Sequence, residues 1–322
     1  DIITISREIF NEIKDKVENN GNRYCHFFIP ELGKIIDRRR MRYIKNELLE
    51  ENPNFFTNYE KKREEGENDS YICSLIRQDS VKEFIEYVNR YKISPLCEIS
   101  PSIFETNKFL IDNKNISLIE YSAFFGSIQI FRYLLMNNAK ITPSLWLYAI
   151  HSKNAELVHL LESIEVPPPK SKNKQSSSQN NYEQCLIESI KCHHNDIANY
   201  FENNFIDQNE KDSQLKEEII SSCMKYHNYT FFQKDIIFDH GFFYLCLYHW
   251  DKLINLLLKD KSFEEKVIQY PTIYKAIENN DVKVIYYYLL KMKEIPHMFF
   301  GKTEITQISI PPSVTSIGEN AF

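Results

Sequence analysis

With 43% hydrophobic and 26% charged residues, the 322-residue chain has the composition of one large or two ordinary folded domains, which excludes a disordered chain. Its 39 Lys+Arg against 45 Asp+Glu give a formal net charge of −6, so a basic stripe suited to a nucleic-acid backbone is not expected. Only seven Gly are present, against a usual share of about 7%, which disfavours phosphate-cradling loops and many-turned β-sandwiches and favours helices joined by polar turns.

Residues 1–69 carry helical stripes with no repeat: Ile9, Phe10, Ile13 and Val17, then Ile35, Ile36, Tyr43, Ile44 and Leu48. Arg38, Arg39, Arg40, Arg42 and Lys45 read as a solvated helix face balanced by Glu47, Glu50 and Glu51; a nucleic-acid or lipid patch is the alternative. The charged run at 60–70 reads as a solvated helix and turn. This region is expected to cap the array that follows, since a solenoid needs one polar end.

From residue 70 to 298 a pattern recurs. A small or apolar anchor in one short helix is followed 8, 9, 11 and 12 residues later by apolar side chains on a second helix. Ser122 leads to Ile130, Phe131, Tyr133 and Leu134; Ala149 to Leu157, Val158, Leu160 and Leu161; Ser189 to Ile197, Ala198, Tyr200 and Phe201. Leu245 and Ala276 start two more copies, and Leu75 a weaker one. Between successive strong anchors lie 27 (122 to 149), 40 (149 to 189), 56 (189 to 245) and 31 (245 to 276) residues. The 56-residue gap leaves room for one eroded repeat, with Ile219, Ile220, Cys223 and Met224 as its stripe. Residues 167–181, three Pro followed by Lys, Ser, Gln and Asn, are too polar to bury an apolar face and predict a disordered insertion.

The segment Ser117–Thr142, SLIEYSAFFGSIQIFRYLLMNNAKIT, resembles an ankyrin repeat, with Leu118, Glu120 and Asn138 departing from the usual pattern. Residues 71–201 are similar to a divergent ankyrin-type family expanded in parasitic protists. The last twenty residues, TEITQISIPPSVTSIGENAF, resemble one unit of the leucine-rich repeats of the bacterial-surface-adhesin type, with Ile305, Ile308 and Ile310 in the strand. One such unit cannot bury its own face, since about three are normally required. Residues 303–322 are therefore expected to be poorly ordered, or a lone strand against the last helices. These resemblances imply an all-α fold: a degenerate ankyrin-like helical solenoid with one short C-terminal strand or loop segment. They divide the chain into a cap (1–69), helical repeats (70–298) and the start of a leucine-rich repeat (299–322). With no initiating Met and a last residue inside a motif, the chain is expected to be a piece of a longer protein.

Nothing in the sequence proposes an enzyme. No G-x-S-x-G, H-E-x-x-H, G-x-x-x-x-G-K-[ST] or G-x-G-x-x-G is present. The seven Cys (25, 73, 97, 185, 192, 223 and 246) form no C-x-x-C pair and read as reduced, mostly buried thiols. Cys185, Cys192, His193, His194 and Asp196 lack the second ligand pair that a zinc site needs, and Cys246 with His249 reads as helix packing rather than a nucleophile pair. Trp146 and Trp250 read as core anchors. No cofactor or metal is expected.

The expected function is a non-enzymatic scaffold that binds other proteins, in the cytoplasm, with no nucleic-acid partner and no membrane span. The alternative is a cell-surface, adhesin-like protein acting through its leucine-rich part. In repeat arrays the end of each first helix faces the partner. Here those positions are Phe124, Phe125, His151, Ser152, Lys191, Cys192, Glu278 and Asn279. Phe124 and Phe125 lead, because aromatic side chains dominate interface energetics.

Overall fold

A computed structural model describes residues 26–34, 37–169, 182–206 and 213–228, then residues 230–231, 244–245, 247–248, 250, 252–253, 277, 282–290, 292–297, 299–300 and 307–321. The chain is mostly helical and divides into two compact units, Asp1–Ser152 and Lys153–Phe322.

The first unit opens with α1 (Ile29–Leu32), α2 (Arg38–Glu51) and α3 (Tyr59–Glu65). Asp37 caps α2 by accepting the Arg39 and Arg40 backbone N–H groups, so the helix starts there despite three cations in its first turn. Met41 and Leu48, with Ile44 at the edge, pack on Ile29 and Leu32. Tyr43, assigned to that stripe from the sequence, is 68% exposed. The residues that fit the helical period are 41, 44 and 48, which turns position 43 outward. The basic residues of α2 lie exposed, as a solvated face requires. Ile9, Phe10, Ile13, Val17, Ile35 and Ile36 lie outside the described residues.

Helix pairs follow: α4 (Tyr71–Arg77) with α5 (Val81–Tyr91), then, after the short α6 (Lys108–Asp112), α7 (Leu118–Phe125) with α8 (Ile128–Met136). The unit ends on α9 (Leu145–Ser152). The first helices α4, α7 and α9 pack side by side, and α5 packs on α8, so two helical layers form. Leu75, Ser122 and Ala149, the anchors, are all buried, as are Ile130, Phe131 and Leu134 at +8, +9 and +12 from Ser122. Tyr133, at +11, is only half-buried. Buried Ser122 is satisfied within its own helix, its hydroxyl donating to the Ile119 carbonyl at 2.8 Å. Glu120 accepts the Ser117 N–H in a capping box and receives the Ser144 hydroxyl at 2.7 Å, tying the start of α7 to the start of α9.

The second unit contains α10 (Ala155–Ser163), α11 (Glu183–Lys191), α12 (Asn195–Phe205), α13 (Ser213–Lys225), α14 (Val282–Leu289) and the short strands β1 (Glu294–Ile295) and β2 (Ser316–Ile317). α11 packs on α12 and α13. α12 meets α10 through the Tyr200 hydroxyl, which donates to Glu162 at 2.7 Å, and through the Tyr200 ring, which meets His159 edge-on. Residues 170–181 of the predicted insertion, and the anchor Ala276, lie outside the described residues.

One closing turn recurs in both units. The N–H five residues after the anchor returns to the anchor's carbonyl: Ser80 to Leu75, Ser127 to Ser122, His194 to Ser189, Asn228 to Cys223 and Trp250 to Leu245, at 2.9–3.0 Å. The residue before that donor is left-handed at Asp79, Gly126, His193 and His227, as a Schellman closure requires. Gly fills this position only once, and each other residue there costs about 1 kcal/mol, which the buried helix faces offset. The turns are also stitched together. The Ser127 hydroxyl donates to the Ile76 carbonyl (2.5 Å), the Asn228 amide to the Ile190 carbonyl (2.9 Å) and the Trp250 indole N–H to the Met224 carbonyl (3.0 Å). In each case the side chain at the closing position reaches the carbonyl one residue past the preceding anchor.

Cys223 takes the anchor's place in this turn, accepting the Asn228 N–H. It lies 34 residues after Ser189 and 22 before Leu245, and Ile219, Ile220 and Met224 are buried beside it as the stripe predicts.

The C-terminal segment departs from the expected lone strand. β2 pairs in parallel with β1, Glu294 opposite Ser316 and Ile295 opposite Ile317. The partners are 22 residues apart, and EIPHMFF at 294–300 lines up with SIGENAF at 316–322. Ile308 and Ile310 lie outside the strand, Ile310 is exposed, and Ile305 is outside the described residues. Gly318 is required at the contact, because a Cβ there would lie 2.7 Å from the His297 backbone nitrogen. The pair shares one core with the helices, in which Met224, Leu245, Ile285, Leu289, Ile295 and Phe300 are all buried.

Candidate interaction surface

Phe124 and Phe125 end α7, and His151 and Ser152 end α9. Because those two helices pack side by side, Phe124 and His151 meet, their rings stacked at 5.1 Å. α6 brings a third ring that the sequence reading did not include: Phe109 stacks on Phe124 at 5.9 Å and lies 4.1 Å from His151. Phe124 is 9% exposed under this cover, so it acts mainly as packing. Phe125 remains half-buried beside Tyr121 and Phe124, with the Arg77 guanidinium 6.0 Å from its ring centroid. The Ser152 hydroxyl donates to the Ala149 carbonyl and closes its helix. Phe125, Phe109 and His151 are the half-buried aromatic side chains this end of the unit presents to solvent.

In the second unit, Lys191 pairs with Glu188 at 3.0 Å and sits over the Tyr226 ring at 5.9 Å. Burial, with Glu188 adding to it, pushes the Cys192 thiol up to about 12, so it stays protonated and unreactive at neutral pH. Burial also raises Cys185, and His193 is exposed and bonded to the Tyr226 carbonyl at 2.7 Å. Among the described residues, no three of Cys185, Cys192, His193, His194 and Asp196 lie close enough to share an ion. Trp146 is fully buried, whereas Trp250 is half-buried, its ring stacked on His227 at 5.3 Å. Glu278, Asn279, Cys246 and His249 lie outside the described residues.

No family model, curated protein or solved structure matches this chain. What the surface can do therefore rests on its own geometry.

A second feature of the first unit was not legible in the sequence. Leu75 and Ser122 are 47 residues apart, and much of the excess is a loop segment (93–116, with the short α6 inside it) that lines a cleft of about 420 Å³. The loop is pinned at both ends. Ile99 N–H donates to the Ile116 carbonyl (2.8 Å), Leu118 N–H to the Cys97 carbonyl (3.2 Å) and Thr106 N–H to the Gly66 carbonyl (3.0 Å). Asn68 donates through its amide to the Ser100 carbonyl (2.8 Å), and Ser102 to the Asp69 carboxylate (2.7 Å). At the base, Arg77 pairs with Glu67 at 2.6 Å and donates to the Tyr121 hydroxyl at 3.0 Å. Burial pushes the Tyr121 hydroxyl well above its ordinary range.

Proposed function

We propose that this chain is a non-enzymatic protein-binding scaffold, in which ankyrin-like helix pairs run into the first units of a leucine-rich repeat. The observation that supports it most is the recurring turn: the same anchor-to-closing hydrogen bond at five places, with three side chains stitching successive turns. Arrays of this kind present helix ends to partners. The half-buried rings of Phe125, Phe109 and His151 provide a rigid aromatic anchor of the sort that dominates protein interfaces. A cytoplasmic site of action fits this reading, and among the described residues no helix is long and apolar enough to cross a membrane.

The test is photo-cross-linking from p-benzoylphenylalanine at position 125 in cell extract, with Phe125→Glu competing as an unlabelled control. A defined partner, competed by the parent and not by Phe125→Glu at unchanged melting temperature, supports the reading. No defined partner, or equal competition by both, removes the aromatic face from it.

The observation that favours the adhesin-like alternative is the parallel β1–β2 pair at the C-terminal end. Antibody labelling confined to permeabilised cells would eliminate it.

A further inference from the structure

The acidic groups around the cleft of the first unit are not treated alike. Glu67 has Arg77 at 2.6 Å, and Asp69 has Lys62 at 2.9 Å together with the Ser102 hydroxyl. Glu105 accepts only backbone N–H groups, from Asn107 at 2.8 Å and Asn68 at 3.3 Å. Among the described residues no Lys, Arg or His lies within ion-pair range of it. Burial pushes its carboxyl above the ordinary range and outweighs the two backbone N–H groups, which oppose it; the Glu67 charge adds to the rise, and Arg77, already paired, opposes it weakly. The walls beside this carboxylate are aliphatic: Ile99, Ile103, Leu110 and Ile116. Lys114, also in the lining, is on the exposed rim.

A half-buried carboxylate without a cation, at an aliphatic slot, is the complement of one kind of side chain. Arginine and lysine carry a three- or four-carbon stem that packs against apolar surface, and a charged head that seeks an acid. We propose that the cleft between the 93–116 loop and α7 receives a basic side chain of a partner protein, its stem against Ile99, Ile103 and Ile116 and its head on Glu105. This rests on the scaffold reading and adds the chemistry of the partner. A slot of this size holds one long side chain and its flanking backbone. The rim ammonium of Lys114 opposes the incoming cation weakly, because it is exposed and screened.

The experiment uses the full chain with isoleucine δ1-methyl labelling and the probe acetyl-Gly-Ala-Arg-Ala-Gly-amide, against the same peptide with citrulline in place of arginine. The arginine peptide is expected to shift the methyl resonances of Ile99, Ile103 and Ile116, and the isosteric neutral peptide to shift them far less. Glu105→Gln is expected to weaken the arginine peptide about fivefold and abolish its advantage over citrulline. Glu105→Asp, which keeps the charge, retains part of that advantage, and Lys114→Ala tightens binding about twofold. Unchanged methyl spectra of the free variants verify the fold. Equal response to the two peptides, no response to either, or an advantage that persists in Glu105→Gln overturns the proposal. The readout does not involve the aromatic face, so its failure leaves the cross-linking result at position 125 standing, and the reverse holds.

Discussion

Asp69 and Glu105 sit on the same pinned loop system yet are driven in opposite directions. Burial alone would raise the Asp69 carboxyl, but hydrogen bonds from Ser102 and Lys62 outweigh it and hold the group below its ordinary range. Glu105 has no such side-chain donors and is raised by burial. Linkage turns this into opposite pH dependences. Asp69 contributes stability above its unfolded pKa that is lost as pH falls through the lower folded value. Glu105 contributes stability below its unfolded pKa that is lost as pH rises through the higher folded value. Urea unfolding between about pH 3 and pH 7 should show the parent gaining on Asp69→Asn with rising pH and losing ground to Glu105→Gln. Slopes of the same sign would mean that the two environments are not as described. None of this was visible in the sequence, where both residues are ordinary acids in polar segments.

At the scale of the element, the closing turn explains what could and could not be recognised beforehand. Positions +8, +9 and +12 from an anchor fall on one face of the second helix, so Ser122 and Ser189 announce themselves by the apolar residues that follow. Cys223 does not: Lys234 and Asp235 stand at its +11 and +12, and its place in the turn comes from the Asn228 N–H returning to its carbonyl. Asn228 is almost fully buried, donates to the Ile190 carbonyl and the Asn195 side chain, and accepts the Phe231 N–H. Asn228→Ala should therefore cost about 2 kcal/mol in urea unfolding, and a loss within experimental error of zero would deny the stitched turns a structural role. β1 was missed for a different reason. Pro296, His297 and Met298 occupy the places of Gly318, Glu319 and Asn320, and only Ile295 and Phe300 preserve the pattern. Gly318→Ala, which drives a Cβ into the His297 backbone, should lose about 1–3 kcal/mol and lower the melting temperature. An unchanged melting temperature would mean that the two strands can separate without penalty. The cleft was illegible because its walls come from residues such as Ile99 and Ile116, 17 positions apart in a loop with no period.

At the scale of the whole molecule, the sequence placed a change of character near residue 299, with the last residues either poorly ordered or lying as a strand against the last helices. Ile295, Phe299, Phe300 and Ala321 are buried in the core that also holds Met224, Leu245 and Leu289. Deleting residues 307–322 should thus expose apolar surface reaching back to α13. We expect 8-anilinonaphthalene-1-sulfonate fluorescence to rise and the thermal transition to fall and broaden; a truncated chain with the parent's transition and no dye binding would show that the segment is dispensable. The shared core has a further consequence for recognition. Where two binding modules are joined by a flexible tether, their cooperation is set by tether length and an effective concentration. Here the strands are welded to α14, so the spacing between a contact on β2 and one on α14 is a fixed ruler. A ligand reaching both must match that distance, and lengthening or shortening the ligand by a few ångströms should matter more than strengthening either contact.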